Sequence, residues 1–344
     1  MSRLLIPRNS CRIFWKFEDR WVGGWKPTSL SIRILKQEWL AEVGGAFTAV
    51  SDVVLNNGGV VYGCGLSSSH QAEHRRAATK AERNSFRGSK YVQSSMGNCF
   101  QSVAADIKAG KEVMFSGTGC QIDALKHFLA ANPENLLTMD IVCHGVPSPL
   151  VWEGFLQWMQ EKHHGKVQKV NFRDKQYGWM SHFETVIING RICVADYYRS
   201  IFYKHYSLRP CCFKCPYANL NRKSDITIAD AWGVDSKYSF FNDDKGVSLV
   251  IVNTERGKNY FEKARADLQV VEVGIEGFMQ PNLRQPSTLP ADRNQFWRDY
   301  RANGFDYISR KYGDNTLKGN AKSLSKRFLG KTGLTKTIKK ILKK

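Results

Sequence analysis

The sequence of 344 residues contains no long hydrophobic run. A bilayer-crossing helix needs about 20 apolar residues in succession, so a membrane span is not expected. The N-terminus, Met1-Ser-Arg-Leu-Leu-Ile-Pro-Arg-Asn-Ser10, lacks the apolar stretch of a secretion signal. The expected location is therefore cytoplasmic. The nine cysteines lack the regular spacing of a secreted disulfide framework. In a reducing compartment such thiols are metal ligands or are simply buried. Acidic residues are scarce: 31 Asp plus Glu stand against 51 Lys plus Arg, for a net charge of +20. The scarcity is complete from Thr316 to Lys344, which holds no acidic residue and ten basic ones. No basic motif is studded with aromatics, so nucleic acid is not an expected partner. No internal repeat is visible.

What is present reads as a globular protein, 42% hydrophobic and 24% charged. Residues 1–40 carry Trp15, Trp21, Trp25 and Trp39 without a clear period, and form an irregular N-terminal segment. From 41 to 165 strands and helices alternate. Gly44 to Asn57 reads as a helix, and Val60-Val-Tyr62 as a buried strand. Residues 96–109, 121–131 and 149–162 read as helices, with strands at 112–115 and 136–142. This alternation predicts an α/β unit with a mainly parallel sheet and flanking helices in the N-terminal half. Residues 166–290 are richer in strands, at 167–172, 183–188, 225–228 and 247–252, and predict a mixed sheet in a fold that is α+β overall. Residues 291–344 form a helical, basic tail. Its apolar positions Leu324, Phe328, Leu334, Ile338 and Ile341 fall partly on helical spacing. Such a segment suits a solvated terminal helix, an anionic membrane surface or an acidic partner.

Four cysteines carry the chemistry. Cys120 follows the apolar run ending at Phe115, in Phe115-Ser-Gly-Thr-Gly-Cys-Gln121. Cys143 follows the next run, in Met139-Asp-Ile-Val-Cys-His-Gly-Val-Pro-Ser148. Cys212 and Cys215 form a C-x-x-C ahead of Pro216, and Cys211 is a spare neighbour. Adjacent parallel strands deliver their C-terminal ends to one sheet edge, where cofactors sit. Thiols from two such ends and from one tight turn can converge on a single centre. Four thiolates suit an iron–sulfur cluster or a zinc ion. Single cysteines far apart fit the paired C-x-x-C spacing of structural zinc poorly. His144, beside Cys143, is a candidate ligand, proton carrier or hydrogen-bond partner to a sulfur.

Two further patterns are weaker. Gly117-Thr-Gly-Cys-Gln-Ile122 is half of a dinucleotide fingerprint and lacks its third glycine. His70-Gln-Ala-Glu-His74 spells an inverted zinc-peptidase motif, which requires a helix to put both histidines on one face. Its serine-rich, charged surroundings suit a surface loop or a helix start instead.

Taken together, these motifs resemble the coenzyme F420 hydrogenase/dehydrogenase beta-subunit family over roughly residues 42–280. The likeness rests on Gly44-Gly-Ala-Phe47, Gly59-Val-Val-Tyr-Gly63 and Gly88-Ser-Lys-Tyr-Val-Gln-Ser94. It continues in the two cysteine motifs after the strands, Phe172-Arg-Asp-Lys175 with Gly178-Trp179, Cys212-Phe-Lys-Cys215 and Asp225-Ile-Thr-Ile-Ala-Asp-Ala-Trp-Gly233. The resemblance implies Cys120, Cys143, Cys212 and Cys215 as ligands of a [4Fe–4S] cluster, and a bound FAD. FAD would exchange hydride with a deazaflavin-type cofactor or pass electrons to a redox partner protein. His144 is the candidate catalytic residue. Gly44, Gly45, Ser89 and Lys90 are the candidate phosphate holders, with Asp230 beside the cofactor. The family's Gly-Thr-Pro-Cys stands here as Gly117-Thr-Gly119-Cys120, and its N-terminal ferredoxin-like segment is missing. Two other readings use the same residues: an accessory protein of bacterial surface-polysaccharide synthesis, and a zinc-stabilised binding module.

Overall fold

The computed structural model describes residues 31–36, 45–179, 182–194, 196–234, 238, 240 and 244–331. Gly44, the tryptophans of residues 1–30, Trp39, Cys11 and the tail beyond 331 lie outside the described residues. The fold is α/β. Its centre is an eight-stranded sheet with strand order β11-β1-β10-β9-β5-β4-β2-β3. The strands are β1 (Ser31–Lys36), β2 (Val60–Leu66), β3 (Ala72–Ala77), β4 (Val113–Thr118), β5 (Leu136–Ile141), β9 (Ile226–Asp230), β10 (Ser248–Val252) and β11 (Gln269–Glu272). The inner four, β2, β4, β5 and β9, are mutually parallel. Antiparallel strands complete the sheet on both sides. The strands β6 (Val167–Asn171), β7 (Thr185–Ile188) and β8 (Arg191–Val194) form a separate antiparallel sheet.

The parallel strands are apolar because both of their faces are covered. Along β4, Met114 faces the helices α1 (Gly45–Asn56) and α7 (Glu255–Ala264), among Phe47, Val50, Val54 and Phe261. Val113 and Phe115 face the other side, among Val103, Ile122 and Leu125 of α3 (Cys99–Lys108) and α4 (Gly119–Leu129). The two-residue period of the strand thus sorts its side chains between two helical layers. A third cluster packs α5 (Pro149–Lys162), α6 (Asp196–Tyr203) and α8 (Arg293–Lys311) against β6 and β7, around Trp152, Phe155, Tyr198 and Phe296. Pro149 opens α5, where its missing N–H has no helical partner to lose.

Two departures from the expected layout have clear causes. Ser31–Lys36, inside the segment that reads as irregular, is a strand held between β10 and β11. Its register is set by long-range pairing, which leaves no local signature. His70–His74 enters β3 rather than a helix. His74 is buried against the Ser116 carbonyl and the Phe115 ring, whereas His70 bonds the Val167 carbonyl. The two histidines of that motif therefore do not share a site. Among the described residues no helix is long and apolar enough to cross a membrane.

Candidate metal and cofactor site

The C-terminal ends of β2, β4, β5 and β9 reach one edge of the sheet, at Leu66, Thr118, Ile141 and Asp230. Cys120 stands in the first turn of α4, two residues past β4. The Gln121 side chain accepts from the Thr118 N–H at 2.9 Å and fixes this turn. The Thr118 hydroxyl lies 3.1 Å from the Cys120 sulfur. Cys143 lies two residues past β5, in an extended segment. Its sulfur accepts from the Gly145 N–H at 3.3 Å. Gly145 has a φ of +121°, and a Cβ there would lie 2.8 Å from Leu208 Cδ1 and 3.4 Å from Cys212 Cβ. Only glycine allows the chain to pass so closely in this conformation.

Cys212 sits in the short 3-10 turn Pro210–Lys214, and Cys215 follows it. The Cys212 sulfur accepts from the Val146 N–H at 3.5 Å, which ties this turn to the Cys143 loop. Arg209 N–H to Val146 O, at 3.0 Å, adds a second tie. The thiols also sense one another. Burial pushes Cys143 up to about 12, and Cys120 and Cys215 push in the same direction. Cys215 is raised by burial, with further contributions from Cys120 and Cys211. Cys212 is raised by its hydrogen bond to Cys211 and by burial, with Cys143 adding to it. The Gly145–Val146 segment thus brings Cys143 and Cys212 together, and Cys120 and Cys215 lie near enough to bear on Cys143, although 95 residues of sequence separate the first from the last. Among the described residues, no three His, Cys, Asp or Glu side chains are arranged to hold a single metal ion.

One cation stands beside them. The Arg222 side chain is buried, pairs with the buried Asp140 and donates to the Ile141 carbonyl at 3.0 Å. It lowers the thiols of both Cys143 and Cys215. Ser224 holds the other Asp140 oxygen at 2.8 Å. The sequence gives no motif for Arg222; its signal is only its nearness to the C-x-x-C turn. His144 turns away into an aromatic pocket against Phe202, Tyr203 and His205. Its Nδ1 meets Asn282 Oδ1 at 3.2 Å, and its buried Nε2 has no partner. Burial, with His205 adding to it, lowers His144 to about 4 and keeps it neutral.

A cavity of about 230 Å³ lies at the end of β2. Ser85, Arg87, Ser89, Lys90 and Arg173 supply its polar wall, with Phe172 on the apolar side. Lys90 donates to the Ser85 and Arg87 carbonyls at 3.2 and 2.9 Å. Burial lowers its pKa to about 8, so it stays charged near neutrality. Arg173 is 4% exposed, pairs with Asp230 and donates to the Trp179 carbonyl at 2.8 Å. The Trp232 ring lies 4.9 Å from its guanidinium and stacks on Trp179. Asp230 therefore acts on the cavity through Arg173. Ser89 and Lys90 line the cavity; Gly45 opens α1 and does not. Arg173 belongs to Phe172-Arg-Asp-Lys175, but its role follows only from its place in the folded chain. Tyr91 stands between the two places: its ring is 5.9 Å from Phe172 and 4.8 Å from Phe202, which in turn touches His144.

Comparison with known proteins bears on this arrangement. Residues 110–276 match the family model for the C terminus of the coenzyme F420 hydrogenase/dehydrogenase beta subunit. A solved structure of the F420-reducing [NiFe] hydrogenase complex from Methanosarcina barkeri, studied by xenon derivatization, contains a similar chain. It is 18% identical, with a TM-score of 0.49, and the match covers 82% of this chain and 90% of that one. No curated protein matches the sequence. Cys120, Cys143, Cys212 and Cys215 all fall inside the matched segment, so it is the cysteine-bearing part of the chain, residues 110–276, that is similar to the C terminus of the coenzyme F420 hydrogenase/dehydrogenase beta subunit.

Proposed function

We propose that the chain is an iron–sulfur flavoprotein, an oxidoreductase or the electron-transfer subunit of one, that passes electrons between FAD and a [4Fe–4S] cluster. The meeting of the Cys143 loop with the Cys212 turn, beside Cys120 in the first turn of α4, supports this reading. The donor set fits the group. All four donors are thiols, which suit a cluster, and two of the sulfurs already accept backbone N–H groups. Zinc fits less well, because single cysteines far apart in the chain depart from the paired C-x-x-C spacing of structural zinc sites.

A bound flavin supplies two-electron hydride chemistry, and a cluster takes electrons one at a time. The residues of this chain hold and tune. Arg222 offsets the negative charge of the thiolates and is itself held by Asp140. Lys90, Arg87 and Arg173 supply cations, and Ser85 and Ser89 hydroxyls, to a pyrophosphate in the cavity. Asp230 and Trp232 keep the Arg173 guanidinium fixed. His144, held neutral and with no partner at Nε2 among the described residues, is our candidate catalytic residue, as a hydrogen-bond partner to a bound group next to Cys143. On this reading the outer partner is a redox protein or a deazaflavin-type cofactor.

Iron, sulfide and flavin analysis of anaerobically purified protein tests the proposal. About four iron and four sulfide per chain are expected, with loss of most of the iron in Cys143→Ala. Lys90→Ala combined with Arg173→Ala should lower flavin retention at least tenfold while leaving the iron in place. A colourless protein that binds one zinc would refute the cluster. Unchanged iron in Cys143→Ala would remove that residue from the site.

A further inference from the structure

The last described helix, α9 (Leu317–Lys331), presents two different faces. One rests on the protein: Ser323 donates to Asp196 Oδ2 at 2.7 Å, Asn320 Oδ1 accepts from the Tyr197 hydroxyl at 3.1 Å, and the helix packs against Lys175–Tyr177. Leu317, Ala321, Leu324 and Phe328 occupy another. Their i, i+4, i+7, i+11 spacing puts them on one stripe. Leu317 is 93% exposed, Leu324 61% and Phe328 65%. Lys318 and Lys322, both exposed, stand to one side of this stripe, whereas Lys326 lies on the opposite side of the helix. Soluble surfaces seldom align large apolar side chains in this way without a use for them.

We infer that α9 lies on an anionic lipid surface, with Leu317, Leu324 and Phe328 entering the apolar boundary and Lys318 and Lys322 reaching headgroups at its side. Charge complementarity selects this occupant. No acidic residue occurs from Thr316 to Lys344. A second copy of the chain would bring two cationic helices together. Nucleic acid would use the lysines but has no place for the leucines. An anionic bilayer satisfies both sets at once, the geometry of an interfacial amphipathic helix. Ser323 and Asn320 hold the helix to the body, so the stripe is presented on a fixed support.

Co-sedimentation of the full chain with vesicles tests this. Binding is expected to vesicles of phosphatidylglycerol in phosphatidylcholine and not to pure phosphatidylcholine, and to weaken as salt rises. Lys318→Gln with Lys322→Gln should lower partitioning about thirtyfold. Leu324→Ser with Phe328→Ser should lower it at least tenfold, with an unchanged melting temperature as the check on folding. Absence of binding to anionic vesicles at low salt would overturn the inference. So would undiminished binding by the Leu324 and Phe328 double variant. Retention by an acidic polypeptide without vesicle binding would overturn it in favour of a protein partner.

Discussion

At the scale of single residues, buried charge is used in pairs. Asp140 with Arg222 stands beneath the thiols, and Asp230 with Arg173 stands beneath the cavity. Removing one member of such a pair leaves an uncompensated charge, which costs several kcal/mol. A pair far from the site gives a cleaner test. Asp106 accepts from the Tyr62 hydroxyl at 2.7 Å, Arg76 Nε at 2.6 Å and Lys111 Nζ at 3.0 Å. Burial alone would raise this carboxyl, but the hydrogen bonds from Arg76, Tyr62 and Lys111 outweigh it and lower it from 3.8 to about 2. A lowered carboxyl stabilises the fold above its unfolded value and loses that effect as pH falls through the folded one. Asp106→Asn should therefore cost about 1 kcal/mol near pH 7, a modest figure because Arg76 and Lys111 are each more than a third exposed. The gap from wild type in urea melts should close between about pH 4 and pH 2. A gap unchanged across that window would refute the assignment.

At the scale of elements, the loop from β5 to α5 does the most. It carries Cys143, turns at Gly145 and holds both Cys212 and Arg209 through Val146. Gly145→Ala would put a side chain against Leu208 in backbone territory that costs about 1–3 kcal/mol. The expected result is a folded protein with reduced iron content. Full iron loading in Gly145→Ala would show that the loop tolerates displacement. The sequence made this loop legible, because Cys-His-Gly-Val-Pro sits directly after an apolar run. The parallel strands and their helices were equally legible, since β4 opens on Val-Met-Phe and β5 on Leu-Leu and their neighbours follow helical periods. β1, β3, β8 and β11 were not. β8 and β11 have four residues each, β3 alternates with charged residues, and β1 and β11 draw their partners from distant segments. The cavity was half legible. Ser89 and Lys90 lay in a recognisable motif, whereas Arg87 and the Arg173–Asp230 pair needed the close approach of β6 and β9.

At the scale of the whole molecule, charge is unevenly placed. The segment after Thr316 holds half of the net +20. Its described part touches the body mainly through polar contacts of α9. A chain ending at Thr316 should keep its melting temperature within a few degrees and its iron content, while its net charge halves. A large drop in melting temperature would mean that α9 supports the core. The eight-stranded sheet joins both halves of the sequence, since β9 and β10 lie between β5 and β1. Cys212 and Cys215 travel with β9, whose parallel partner β5 lies some 85 residues earlier, as in the pairing of Met139 with Ile226. Long-range parallel pairing is slow to form. The nascent chain therefore emerges with two thiols waiting for two others, and on the function proposed above a cluster would be inserted late in biogenesis. Iron supply to the cell would then govern how many completed sheets mature, rather than how many chains begin to fold.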